Sequence, residues 1–299
     1  MSGKKEGQSE FEYESMRVSR ISLIVNAMLS VFKLIAGIVA HSGAMISDSI
    51  HSATDVFSTF IVMIGVKMAS KAADKEHPYG HERLECVASI VLAVVLFETG
   101  LGIGTKAVST IRAGQYDKLV IPGVLALVAA AVSIVSKEWM YQITIKVAKK
   151  INSSALKADA WHHRSDSLSS IGALIGIGGA RLGYPIADTI ASLFICLFIV
   201  KAAYDIFMDA IDKMVDKACD DALASEMMGF MLSQEGVIDV NVLKTRMFGA
   251  RIYVEAEIEV DGELRLRQSH AIAHSVHDAM EKRYPAIKHI MIHVNPTEN

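Results

Sequence analysis

Cysteine is scarce in this chain. The three present among 299 residues, Cys86, Cys196 and Cys219, lie far apart and form no CxxC pair. A thiolate metal centre or a disulfide framework therefore has little support, and the three are expected to be reduced core residues. Charge is also sparse, at 21% of residues with a net charge of -3. No basic face is concentrated enough to hold phosphates, which excludes a nucleic-acid partner. HExxH and Ser/His/Asp arrangements are missing, so no catalytic or cofactor-binding residue is named and no enzyme is expected. The polar N-terminus, up to about Glu14, lacks the basic cap, short apolar run and small-residue cut site of a cleavable signal. The first apolar segment is therefore expected to stay in the mature protein.

Apolar residues, in contrast, make up 52% of the chain and are bunched into long runs. Six of these are long enough to cross a hydrocarbon layer about 30 Å thick: Val18 to Ala40, Met45 to Ala69, Leu84 to Ile111, Ile121 to Ile145, Ala158 to Leu182 and Ile186 to Phe207. Lys67, Lys71, Lys75 and Arg83 flank the second connection, and Lys146, Lys149, Lys150 and Lys157 the fourth. The first has no Lys or Arg. Positive loops face the cytoplasm, so both termini are expected there. The reading is a cytosolic tail over 1–15, a six-helix membrane domain over 16–216 and a soluble domain over 217–299. In the last, Ala222 to Leu232 reads as a helix, Val237 to Leu243 and Arg251 to Val260 as strands, Leu266 to Arg283 as a helix and Ile287 to Val294 as a strand. This αββαβ order implies a small α+β domain with helices on one face of a three-stranded sheet.

Ionisable residues cost several kcal/mol in hydrocarbon unless paired or facing a polar cavity, so those within spans are read first for function. The second span holds His51 and Asp55, the fifth His162 and Asp166. Each pair is four residues apart, one turn along a single helix face. If the two helices lie side by side, two imidazoles and two carboxylates surround one point as a tetrahedral shell that suits Zn2+. Ca2+ or Mg2+ would want more oxygens and Cu+ would want sulfur, whereas Cd2+, Mn2+ and Fe2+ accept the same ligands. Asp48, one turn before His51, is expected to support the site or mark an exit path. A lone buried His or Asp is as readily a helix–helix hydrogen-bond partner. Two matched pairs favour a metal, because two buried carboxylates without a cation are expensive. Lys33 and Glu98 are further charges within the first and third spans that could neutralise each other.

These residues resemble the cation diffusion facilitators, a family that includes bacterial zinc and iron efflux proteins. The resemblance runs from about Arg17 to His293. It rests on the His51/Asp55 pair, the run Asp74-Lys75-Glu76-His77-Pro78-Tyr79-Gly80-His81, the stretch Ala158 to Asp166 and the αββαβ tail, which is metallochaperone-like. It implies a homodimer in the lipid bilayer of a bacterial inner membrane, each protomer exchanging cytosolic Zn2+ for protons by alternating access. His51, Asp55, His162 and Asp166 then form the transport site. His51, where the bacterial branch often has Asp, favours zinc over cadmium and leaves Fe2+ and Mn2+ open.

The resemblance also implies a second metal site at Asp74, His77 and His81, against the plainer reading of a solvated capping loop. It further implies a charge pair between protomers from Arg83 and Asp216, and a regulatory tail site at Glu257, His270 and His293. In that tail Asn241 and Asn295 stand where ligands are expected, so a tail that only dimerises is the alternative. Histidine titrates near neutral pH, which suits a site where protons and metal compete. A membrane metalloenzyme and a membrane metal sensor are the rival readings of the same His/Asp site.

Overall fold

A computed structural model describes residues 2–39, 43–113, 124–181 and 186–297. Six long helices come first: α1 (Ser2–Val39), α2 (Gly43–Ala69), α3 (Leu84–Ala113), α4 (Val124–Lys150), α5 (Ser154–Arg181) and α6 (Ile186–Met214). They are followed by α7 (Asp221–Leu232), β1 (Asp239–Phe248), β2 (Arg251–Val260), α8 (Leu266–Arg283) and β3 (Ile287–Pro296). Two compact units result. Glu12–Ala69 with Leu84–Ala210 makes one, and Met1–Phe11, Ser70–Arg83 and Ile211–Asn299 make the other. The polar N-terminal stretch, expected as a tail, is instead the first part of α1. It contains no proline, and Gly3 and Gly7 are its only glycines, so the helix propagates back from its apolar part.

In the helical unit α4 and α5 form a hairpin, α3 lies against α2 and α5, and α2 also touches α5. The hairpin turn is short because Asn152 adopts φ 53°, a left-handed conformation that asparagine tolerates and that ends α4. Ser153 then caps α5, its Oγ accepting the Leu156 amide at 3.2 Å, and the buried Glu85 of α3 accepts the Ala155 amide at 3.3 Å. A carboxylate at that position also meets the positive end of the helix dipole. Outward faces carry large apolar residues, among them Phe57, Phe194, Leu197 and Phe198. Among the described residues, Phe11–Ala36 and Leu84–Ala113 are long and apolar enough to cross a membrane, with mean hydropathies of 1.6 and 2.2. Cys86 is buried and Cys196 half-buried in this unit, and Cys219 is buried in the other; all three are free thiols.

The C-terminal unit is a three-stranded sheet in the order β1-β2-β3, β1 antiparallel and β3 parallel to β2. From Val254 onward β2 alternates: Val254, Ala256, Ile258 and Val260 are buried, like Ile252, and Glu255, Glu257 and Glu259 point to the opposite face. The buried set packs on Met227 and Met231 of α7 and on Val276 and Met280 of α8. α8, the crossover between parallel strands, starts where the Gln268 side chain accepts the Arg265 amide at 3.1 Å. β1 runs to Phe248, beyond the expected Leu243, because the mixed sequence Lys244-Thr245-Arg246 continues the ladder opposite Glu255 to Tyr253. Ile258 is fully buried in this core. Ile258→Ala should cost about 2–5 kcal/mol, read as an earlier melting transition of the full-length protein.

Candidate metal centre

Lys137 on α4 and Asp166 on α5 lie at nearly equal chain distances from Asn152, so the antiparallel hairpin brings them level. Lys137 is 2% exposed. Its Nζ donates to Asp166 Oδ2 at 2.9 Å and to Asp55 Oδ2 of α2 at 2.6 Å. His162 Nε2 stands 3.4 Å from Asp55 Oδ1. One ligand atom each from Asp55, His162 and Asp166 lies within 4.8 Å of the others, and all three residues are buried. Two carboxylates and an imidazole are a donor set for a divalent transition metal. Asp48 and His51 belong to α2, but their side chains lie outside the described residues. Three of the four expected ligands are therefore seen together.

Beside His162 on α5 is a second buried polar group. The Thr59 hydroxyl donates to Asp159 Oδ1 at 3.4 Å, and His163 Nε2 lies 3.6 Å from Asp159 Oδ2, beyond hydrogen-bond distance. Lys33 is also buried and donates to Ser52 Oγ at 2.9 Å, turning towards α2, whereas Glu98 is exposed.

Asp74, His77 and His81 also converge, their ligand atoms again within 4.8 Å. The imidazole rings of His77 and His81 are 4.5 Å apart, and His81 Nε2 is 3.5 Å from Asp74 Oδ2. Asp74 serves the loop as well: Lys71 donates to Oδ2 at 2.6 Å, and the amides of His77 and Glu76 donate to Oδ1 at 2.8 and 3.1 Å. The Lys71 ammonium, followed by the His77 amide, holds this carboxyl well below the usual carboxylate range. A lowered value means that Asp74 stabilises the loop above the unfolded carboxylate's pKa and loses that effect only as pH falls through the folded value. Its carboxyl carbon should therefore show no NMR titration down to about pH 4, and Lys71→Ala should move the titration back towards that pH.

Two expectations meet a different geometry. The Arg83 guanidinium pairs with Asp216 within the chain. Asp216 sits at φ 64° just after α6, which turns its carboxylate towards Arg83 and brings it 3.9 Å from Arg246 Nη1. Arg83 also lies 4.9 Å over the Phe248 ring, so its charge is already matched. The tail trio is not assembled either. Glu257 and His293 are register partners on the open face of the sheet, where Asn295 donates to Glu257 at 3.1 Å. His270 is exposed on α8, which covers the other face, and its ring is 6.3 Å from His274. The sheet itself separates His270 from the other two.

The sequence reading passed over Lys137, Asp159 and His163. The rule that singled out His51 and Asp55, an ionisable residue inside an apolar run, applies equally to Lys137 within Ile121 to Ile145. His163 and Asp159 are likewise a four-residue pair.

Comparison with known proteins shows the family of the chain. Residues 19–215 match the model of the cation efflux transmembrane domain, and residues 219–297 that of the cation efflux protein cytoplasmic domain. An uncharacterized transporter of Methanocaldococcus jannaschii is 38% identical over 261 residues, 87% of this chain and 91% of that protein. The manganese efflux system protein MneP of Bacillus subtilis is 30% identical over 295 residues, 96% of this chain and 98% of that protein. Metal tolerance protein 2 of Oryza sativa subsp. japonica is 30% identical over 303 residues, 94% of this chain and 78% of that protein. With one model matching most of the helical region and the other the C-terminal domain, this chain belongs to the cation efflux family, the cation diffusion facilitators, and is a membrane transporter rather than an enzyme.

Proposed function

We propose that this transporter exports a divalent transition metal, Zn2+ or Mn2+, from the cytoplasm in exchange for protons, through a site formed by Asp55, Asp166, His162 and His51. The observation that carries the reading is the convergence of Asp55, His162 and Asp166 in a buried cluster. Two carboxylates with imidazoles accept either ion, and Fe2+ and Cd2+ as well. The imidazoles favour Zn2+, and the similarity to manganese efflux proteins of Bacillus subtilis favours Mn2+. An imidazole coordinates only when its ring nitrogen is unprotonated, so a proton arriving at His162 or His51 works against the metal. Release on the outer side and proton return on the inner side then follow from one site exposed alternately.

The helices α1 to α6, each at least 27 residues long, are read as six spans, since about 20 residues suffice. The membrane domain is taken as 16–216, preceded by a cytosolic start of α1 and followed by a cytosolic dimerisation domain over 217–299. Both termini are placed in the cytoplasm by the lysines flanking the second and fourth connections, in a homodimer in the bacterial plasma membrane. Asp74, His77 and His81 are proposed as a second metal site.

The test is metal-driven proton flux in proteoliposomes, with Zn2+, Mn2+, Fe2+ and Cd2+ supplied in turn. Saturable proton flux with Zn2+ or Mn2+ is expected. Metal binding without flux for any of the four ions would reject transport by this site and favour a membrane metal sensor.

A further inference from the structure

We propose that Lys137 is a tethered competitor of the cargo: its ammonium holds Asp55 and Asp166 together when no metal is bound, and a divalent cation must expel it to bind. This rests on the transport-site reading above. The ammonium of Lys137, buried on α4, donates at 2.6 Å to Asp55 Oδ2 and at 2.9 Å to Asp166 Oδ2. Those are the two carboxylates of the three-residue cluster that a metal would share with His162. A metal–oxygen bond of about 2.0–2.2 Å to each would set the ion in the gap now bridged by Nζ. Two cations that close, away from water, repel strongly.

The charge count leads the same way. With the ammonium in place, two carboxylates leave the group at one net negative charge. A divalent ion in its stead brings the carboxylates to neutrality, whereas a monovalent ion would replace one positive charge by another and gain nothing. Lys137 thereby discriminates by charge, and it leaves no unpaired pair of buried carboxylates after the cargo departs, a state that costs heavily in a low-dielectric interior. Its four-carbon stem permits the required withdrawal of the head group.

A purely structural ion pair and a tethered competitor differ in the sign of one effect. Removing a structural lysine lowers stability and metal affinity together, because the ligands lose their positions. Removing a competitor lowers stability without metal and raises metal affinity. The experiment uses the full-length protein in nanodiscs, titrated calorimetrically with Mn2+ and with Zn2+, and followed by melting temperature with and without each metal. Native protein, Lys137→Met, Lys137→Gln and Asp55→Asn are compared.

Lys137→Met and Lys137→Gln are expected to bind the preferred metal about tenfold or more tightly, and to gain more melting temperature from it than the native protein does. They should also export more slowly, since the ammonium no longer helps to drive the ion off the carboxylates. Unchanged or weaker binding in both variants overturns the proposal, provided that Asp55→Asn abolishes the same binding event. Failure of both variants to fold even in the presence of metal also overturns it, because a competitor must be replaceable by the ion. If Asp55→Asn binds metal like the native protein, the transport-site reading itself fails, independently of Lys137.

Discussion

Asp55→Ala and Asp166→Ala should each reduce metal export by more than about 100-fold while leaving a folded protein in the membrane. The scale comes from metal sites in general: losing a group that only orients a ligand costs 10–100-fold in affinity or activity, and losing the ligand itself should exceed that. The survival of the fold comes from the charge balance around Lys137. Removing the sole partner of a buried charge costs about 3–5 kcal/mol, because the remaining charge is left bare. Here Lys137 bonds to both carboxylates, so either substitution leaves it one partner, and the loss of stability should be smaller. Flux in proteoliposomes and melting temperature are the two readouts. Export within a few-fold of native in either variant would remove that carboxylate from the transport site. A collapse of stability with both variants would show instead that the cluster is chiefly structural.

The legible parts of this protein are those written in short-range patterns. Alternation in Tyr253 to Glu259 fixed which face of β2 is buried, and α8 spans the stretch anticipated from its periodicity. The His/Asp pairs at four-residue spacing announced that each pair shares a helix face, and the approach of α2 to α5 brought Asp55 to His162 and Asp166. What the sequence concealed depends on three-dimensional neighbours. Lys137 reads as a stray charge until the turn at Asn152 sets it level with Asp166. Arg83 and Asp216 are far apart in sequence and meet inside one chain because a left-handed residue after α6 aims the carboxylate. His270 and Glu257 are both polar and both in the soluble domain, yet the sheet stands between them. α1 reaches back beyond its apolar run because polarity alone does not end a helix, and only Gly3 and Gly7 in Ser2 to Glu14 oppose one.

The second large effect should come from a glycine that carries no chemistry. On α2 Gly65 faces α3, and a Cβ added there would lie 2.4 Å from the Cβ of Ala88, far inside contact distance. Both atoms are fixed to helix backbones, so no rotamer relieves the clash and the helices must separate. Overpacking of this kind costs about 1–3 kcal/mol. The functional cost should be greater, since α2 carries Asp55 and a displacement near 1 Å at a reacting or binding centre can cost about 100-fold. Gly65→Val is therefore expected to lower export by about 10- to 100-fold, with a modest fall in melting temperature. The decisive control exchanges the two sizes: Gly65→Ala combined with Ala88→Gly restores the lost space and should recover most of the export that Gly65→Ala alone removes. If the double variant is no better than the single one, the close approach of α2 and α3 is not what holds Asp55 in register with His162 and Asp166, and the direct contact of α2 with α5 must position it instead.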